Sequence, residues 1–84
     1  MTHFNGVPIP ITVECYAGHR GEEVPRRFHV GGMAVEVEDV LDRWLAPDHR
    51  YFKVRDPDGH VWILRRDDEA DRWELHMYKH AGQP

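Results

Sequence analysis

A chain of 84 residues with net charge −4 and a single cysteine excludes several classes at once. The length allows one small domain with a modest core, and the acidic balance argues against general attraction to nucleic acid or anionic lipid. Cys15 stands alone and so has no partner for an intramolecular disulfide. No apolar run is long enough to span a bilayer and no signal-peptide pattern is present, which makes the cytoplasm the expected compartment and gives no membrane partner.

Taken in order, residues 1–8 read as a flexible arm, because Pro8 and Pro10 resist regular pairing until they are passed. Ile9, Ile11, Val13 and Cys15 then alternate with Thr12 and Glu14, the pattern of a half-buried strand. The stretch from Ala17 to Pro25 is a loop by composition. Arg26 to Val30 forms a short strand with Phe28 and Val30 on one face, and Gly31-Gly32 is a tight turn into the next run.

The segment from Met33 to Ala46 fits two templates. Val35 and Val37 alternate with Glu36 and Glu38 as in a strand, whereas Val37, Val40, Leu41, Trp44 and Leu45 fall at helical spacing. A strand bent near Asp39 is the favoured reading, and one short helix over residues 37–45 is the alternative.

Arg50 to Arg66 is the clearest local structure. Two runs rich in aromatic and β-branched residues flank Asp56-Pro57-Asp58-Gly59, in which proline presets φ for a type I turn and glycine supplies the positive φ that closes it. A three-residue loop with a G1 bulge sets Val54 opposite Trp62, Phe52 opposite Leu64 and Arg50 opposite Arg66. Phe52, Val54, Trp62 and Leu64 are then expected in the core, with Phe28, Trp44 and Trp73 as further large candidates. The other hairpin face carries Tyr51, Lys53, Arg55, Val61, Ile63 and Arg65. A charged turn from Asp67 to Asp71 leads to a last strand with Trp73, Leu75 and Met77 inward and Glu74, His76 and Tyr78 outward, followed by a flexible tail over residues 80–84. The sum is one all-β domain, a small antiparallel meander of five or six strands curled into a barrel-like or strongly twisted sheet.

The segments Pro25-Arg26-Arg27-Phe28, Val40-Leu41-Asp42-Arg43-Trp44, His49 to Arg55 with Asp58-Gly59, and Trp73-Glu74-Leu75 together resemble a family of small bacterial proteins of unknown function. The resemblance runs from about Val13 to Met77. It implies a bacterial cytoplasmic β-domain and carries no activity, cofactor or catalytic residue with it.

Several residue groups carry candidate chemistry. Seven histidines raise the question of metal, and Cys15 with His19 and His76 with His80 are the closest pairs. On the final strand the four residues from His76 to His80 span about 13 Å, too far for one ion. Cys15 and His19 straddle a strand end and a loop, where chelation is open but has no second pair to complete it, so no metal ligand is assigned. Cys15 is in phase with Ile11 and Val13, which points to a buried inert thiol rather than a nucleophile activated by His19 or His29. The carboxylate pairs Glu36 and Glu38, and Asp39 and Asp42, read as solvated rather than as an acid–base pair, and Asp48 and His49 diverge as extended neighbours.

What remains is the face of Tyr51, Lys53, Arg55, Val61, Ile63 and Arg65. An aromatic amid cations on a sheet can hold single-stranded nucleic acid, and Arg26 and Arg27 would extend it if their strand were adjacent. An amphiphilic sheet face or edge equally suits a protein partner or a second copy of the chain. The leading expectation is a non-catalytic interaction module without cofactor. A nucleic-acid-associated protein is the alternative, and a metal-binding protein through Cys15 and histidines is third.

Overall fold

The computed structural model describes residues 9–16 and 24–81. They form seven strands: β1 (Ile9–Cys15), β2 (Pro25–Val30), β3 (Met33–Glu36), β4 (Asp39–Leu45), β5 (His49–Arg55), β6 (Val61–Asp67) and β7 (Arg72–Lys79). Every pairing is antiparallel, and the spatial order is β3-β2-β1-β7-β6-β5-β4. The arm over residues 1–8, most of the predicted loop and residues 82–84 lie outside the described residues.

β3 and β4 follow each other in the chain yet sit at opposite edges of the sheet. The join is a corner at Val37-Glu38. Val37 N–H donates to the Arg26 carbonyl of β2, at 3.0 Å, while Glu38 N–H donates to the Arg55 carbonyl of β5, at 2.8 Å. One strand is thus shared between two neighbours, and the sheet curls into a half-barrel around it. This settles the ambiguous segment as strand. Only Val37 and Val40 of its helical stripe pack on the core, while Leu41, Trp44 and Leu45 stay exposed.

The hairpin register is the one its turn chemistry predicts, with Val54 opposite Trp62, Phe52 opposite Leu64 and Arg50 opposite Arg66. Gly59 N–H donates to the Asp56 carbonyl at 3.0 Å, and Gly59 adopts φ +91°, which a side chain would strain. Phe52, Val54, Trp62 and Leu64 are buried together with Phe28, Val35, Trp73 and Leu75. Phe28 meets Trp62 edge-on at 5.1 Å, and Phe52 meets Trp73 at 5.6 Å.

Two bulges alter the expected faces. On β4, Val40 pairs with Val54 and Asp42 with Lys53, leaving Leu41 as the extra residue. That insertion turns Trp44 away from the core and places it opposite Tyr51. On β7, Leu75 pairs with Leu64 and Met77 with Ile63, so His76 is extra. Met77 therefore lies exposed rather than inward, and Tyr78 packs on Trp62 at 4.3 Å rather than facing out. Glu74, expected to be solvated, is buried beneath its ion pairs. Beyond β7, Ala81 N–H donates to His60 Nδ1 at 2.8 Å.

Candidate functional site: the outer sheet face and the β4 edge

Cross-strand pairing brings all six residues of the hairpin face together, with Tyr51 opposite Arg65, Lys53 opposite Ile63, and Arg55 opposite Val61. The strand order separates Arg26 and Arg27 from this face. They lie on β2, beyond β1 and β7, and do not extend it. Arg27 pairs with Glu36 and Glu14, and Arg26 lies over the Tyr16 ring at 5.9 Å.

Most of the positive charge on the hairpin face is already engaged. Arg55 pairs with Asp39 across the β4–β5 ladder. Arg65 Nε donates to Glu74 Oε1 at 2.8 Å, and Arg72 adds a second contact to Glu74 at 3.3 Å. Burial opposes the Arg65 charge, but Glu74 and Tyr51 beside it outweigh burial and raise its pKa. Lys53 is exposed and has no ion pair among the described residues.

The face holds more aromatic surface than one tyrosine. Because of the Leu41 bulge, Trp44 stacks on Tyr51 with centroids 5.1 Å apart and planes 3° from parallel. His76 meets the other side of Tyr51 edge-on at 5.4 Å. The row therefore crosses the sheet from β4 to β7, and His49 flanks it at 6.1 Å from Tyr51. His49 Nε2 lies 3.6 Å from Asp67 Oδ2, so its carboxylate neighbour comes from β6 rather than from the adjacent Asp48.

Partial burial, with Arg65 and His49 nearby, holds the His76 imidazole below its ordinary value of 6.5. Well above pH 6.5 the ring is neutral in folded and unfolded chains alike and adds no pH dependence. As pH falls below 6.5 the unfolded chain binds the proton first, so folding stability declines until the folded ring also titrates. A His76→Gln variant is expected to lose this descending arm, checked by urea midpoints followed against pH. The later loss in acid should persist in the variant. It comes from Glu14, lowered chiefly by its bond to His29, Asp67, lowered by the Ala70 N–H, and Asp68, lowered by Arg50.

β4 is the edge of the sheet, and no described strand pairs with its far side. Leu45 is 77% exposed, Leu41 43% and Trp44 40%, all within this seven-residue strand. Edge strands are ordinarily short, charged or covered, because open N–H and C=O groups invite pairing. Asp39, Asp42 and Arg43 give this one some charge, but its apolar surface is large for an open edge. The signal for the bulge that exposes it is the adjacent pair Val40-Leu41, which interrupts strict alternation.

The other candidate groups separate or are already occupied. Asp56, Asp58 and His60 bring potential ligand atoms within 4.8 Å of one another. Asp56 Oδ1, however, accepts the Asp58 and His60 N–H groups, and Oδ2 accepts Trp62 Nε1–H. His60 Nδ1 accepts Ala81 N–H, which leaves the proton of the neutral ring on Nε2, where it blocks coordination. The cluster thus builds the turn. His76 contacts Tyr51 whereas His80 stacks near His60 at 4.5 Å, so the two histidines serve different neighbourhoods. Cys15 is half-buried and packs against the core, His29 bonds Glu14 at 2.8 Å, and His19 lies outside the described residues.

No helix among the described residues is long and apolar enough to cross a membrane. Comparison of the chain with protein-family models, with curated proteins and with solved structures found no match, so the functional reading rests on the outer face and its edge.

Proposed function

We propose that the chain is a non-catalytic interaction module that takes an extended segment of a protein partner alongside β4, with the neighbouring outer face as the specificity surface. The observation that carries this is the open seven-residue edge exposing Leu41, Trp44 and Leu45. Strand addition would satisfy its backbone groups, and the alternate side chains would supply apolar contact. The setting proposed is the bacterial cytoplasm, supported by the sequence resemblance.

A photo-crosslinking residue placed at position 45 tests this in living cells. It is expected to yield a discrete adduct, with either another protein or a second copy, that the same probe at exposed Glu69 does not yield. Adding Leu41→Lys should abolish the adduct while leaving the melting temperature within a few degrees. Equal labelling from positions 45 and 69 would overturn the edge reading.

A second reading is favoured by the exposed Trp44 ring stacked on Tyr51, a platform of the kind on which single-stranded bases stack. It predicts salt-sensitive oligonucleotide binding that Lys53→Glu removes. The neutralisation of Arg55 and Arg65 by Asp39 and Glu74 places it second.

A further inference from the structure

The curl of the sheet leaves a groove with a volume of about 620 Å³ between the β3 edge and the Asp56–His60 turn, away from the outer face. That size suits a small organic ligand. Its floor is apolar, formed by Val35, Trp62 and Leu75. Met33 and Tyr78 stand at its sides, and Met33 is half exposed, so a ligand would remove apolar surface from water at one end.

Among the described residues no lysine or arginine lines the groove, whereas Glu36, Asp56 and Asp58 do. These carboxylates are not equivalent. Asp56 is consumed by three N–H donors, and Glu36 is paired with Arg27. Asp58 is exposed and its carboxylate has no partner among the described residues. His60, also in the lining, adds no positive charge while its Nδ1 accepts Ala81 N–H. An aromatic floor with one uncompensated carboxylate at the rim complements a ligand with an apolar body and a single cationic end.

We propose that this groove binds a small amphiphilic amine, its ring or alkyl body over Trp62, Val35 and Leu75 and its ammonium group against Asp58. The proposal rests on no part of the β4 reading and stands or falls separately. An apolar anion of the same size would meet the same floor but face Asp58 with like charge, so charge preference distinguishes this site from mere greasy adsorption.

The test is amide chemical-shift titration of the full-length chain with tryptamine and, in parallel, with indole-3-propionate. Tryptamine is expected to shift Ala34, Val35, Gly59 and His60 saturably at millimolar concentration. Indole-3-propionate should bind about ten-fold more weakly. In Asp58→Asn, whose exposed position leaves the fold intact, the two ligands should bind about equally. Absence of saturable shifts with tryptamine, equal affinity of the two ligands for the unmodified chain, or shifts confined to the outer face would each overturn the proposal.

Discussion

An Asp56→Asn substitution is expected to destabilise the domain by about 2–3 kcal/mol, although it changes one atom and keeps the shape. Asp56 is 6% exposed and its carboxylate accepts three hydrogen bonds. Oδ1 takes the N–H groups of Asp58 and His60, both at 2.9 Å, and Oδ2 takes Trp62 Nε1–H at 3.0 Å. An asparagine can present its oxygen to only one of these two directions. Its amide nitrogen then points a donor at a donor, either at the buried indole or at the turn. Both arrangements leave a buried N–H unpaired, so Asn should be nearly as harmful as Ala. Urea unfolding measures the loss, and the indole Nε1–H resonance of Trp62 reports which direction failed. A loss below about 0.5 kcal/mol would show that the turn holds without the carboxylate.

Phe28→Ala is expected to be worse, at about 3–5 kcal/mol. That is comparable with the entire stability that one small core ordinarily supplies, so most of the variant should be unfolded at room temperature. Phe28 is fully buried, and its ring meets Trp62 edge-on. It carries the packing between the β1–β3 part of the sheet and the layer built by β5, β6 and β7. Phe28→Leu keeps most of the volume and should cost about 1.5 kcal/mol or less, retaining the fold. Loss of dispersed amide resonances in the alanine variant, but not in the leucine variant, is the expected pattern. A well-dispersed alanine variant would locate the packing between the two parts elsewhere.

The sequence was most informative where one local choice fixes many others. Asp-Pro-Asp-Gly determines the hairpin closure, and the closure determines the faces of Phe52, Val54, Trp62 and Leu64. Alternation likewise disclosed β1 and the bent β3–β4 segment. The sequence misled at Leu41 and His76, because a bulge inverts the faces of the residues beyond it without any obligatory residue type. Strict alternation therefore puts Trp44 in the core and Met77 inward, and gives no sign of the outer aromatic row of Trp44, Tyr51 and His76. The neutralised state of the basic face was also hidden. Arg55 finds Asp39, and Arg65 finds Glu74, only once sheet order and register are fixed. The β4 edge belongs to the same class, since being last in a sheet is a property of topology and not of a segment.

The corner at Val37-Glu38 also bears on the order in which the fold can assemble. β4, β5, β6 and β7 form an uninterrupted meander of neighbours in the chain, and β1, β2 and β3 form a second one. The ladder joining them, Ile9 to Leu75 and Ile11 to Trp73, links opposite ends of the chain. Closing that loop carries the largest entropic cost, so the two meanders are the natural early structures and their union the slow step. The corner ties both meanders together through two adjacent residues, so the search for that union is the swing of two preformed leaves about a common hinge.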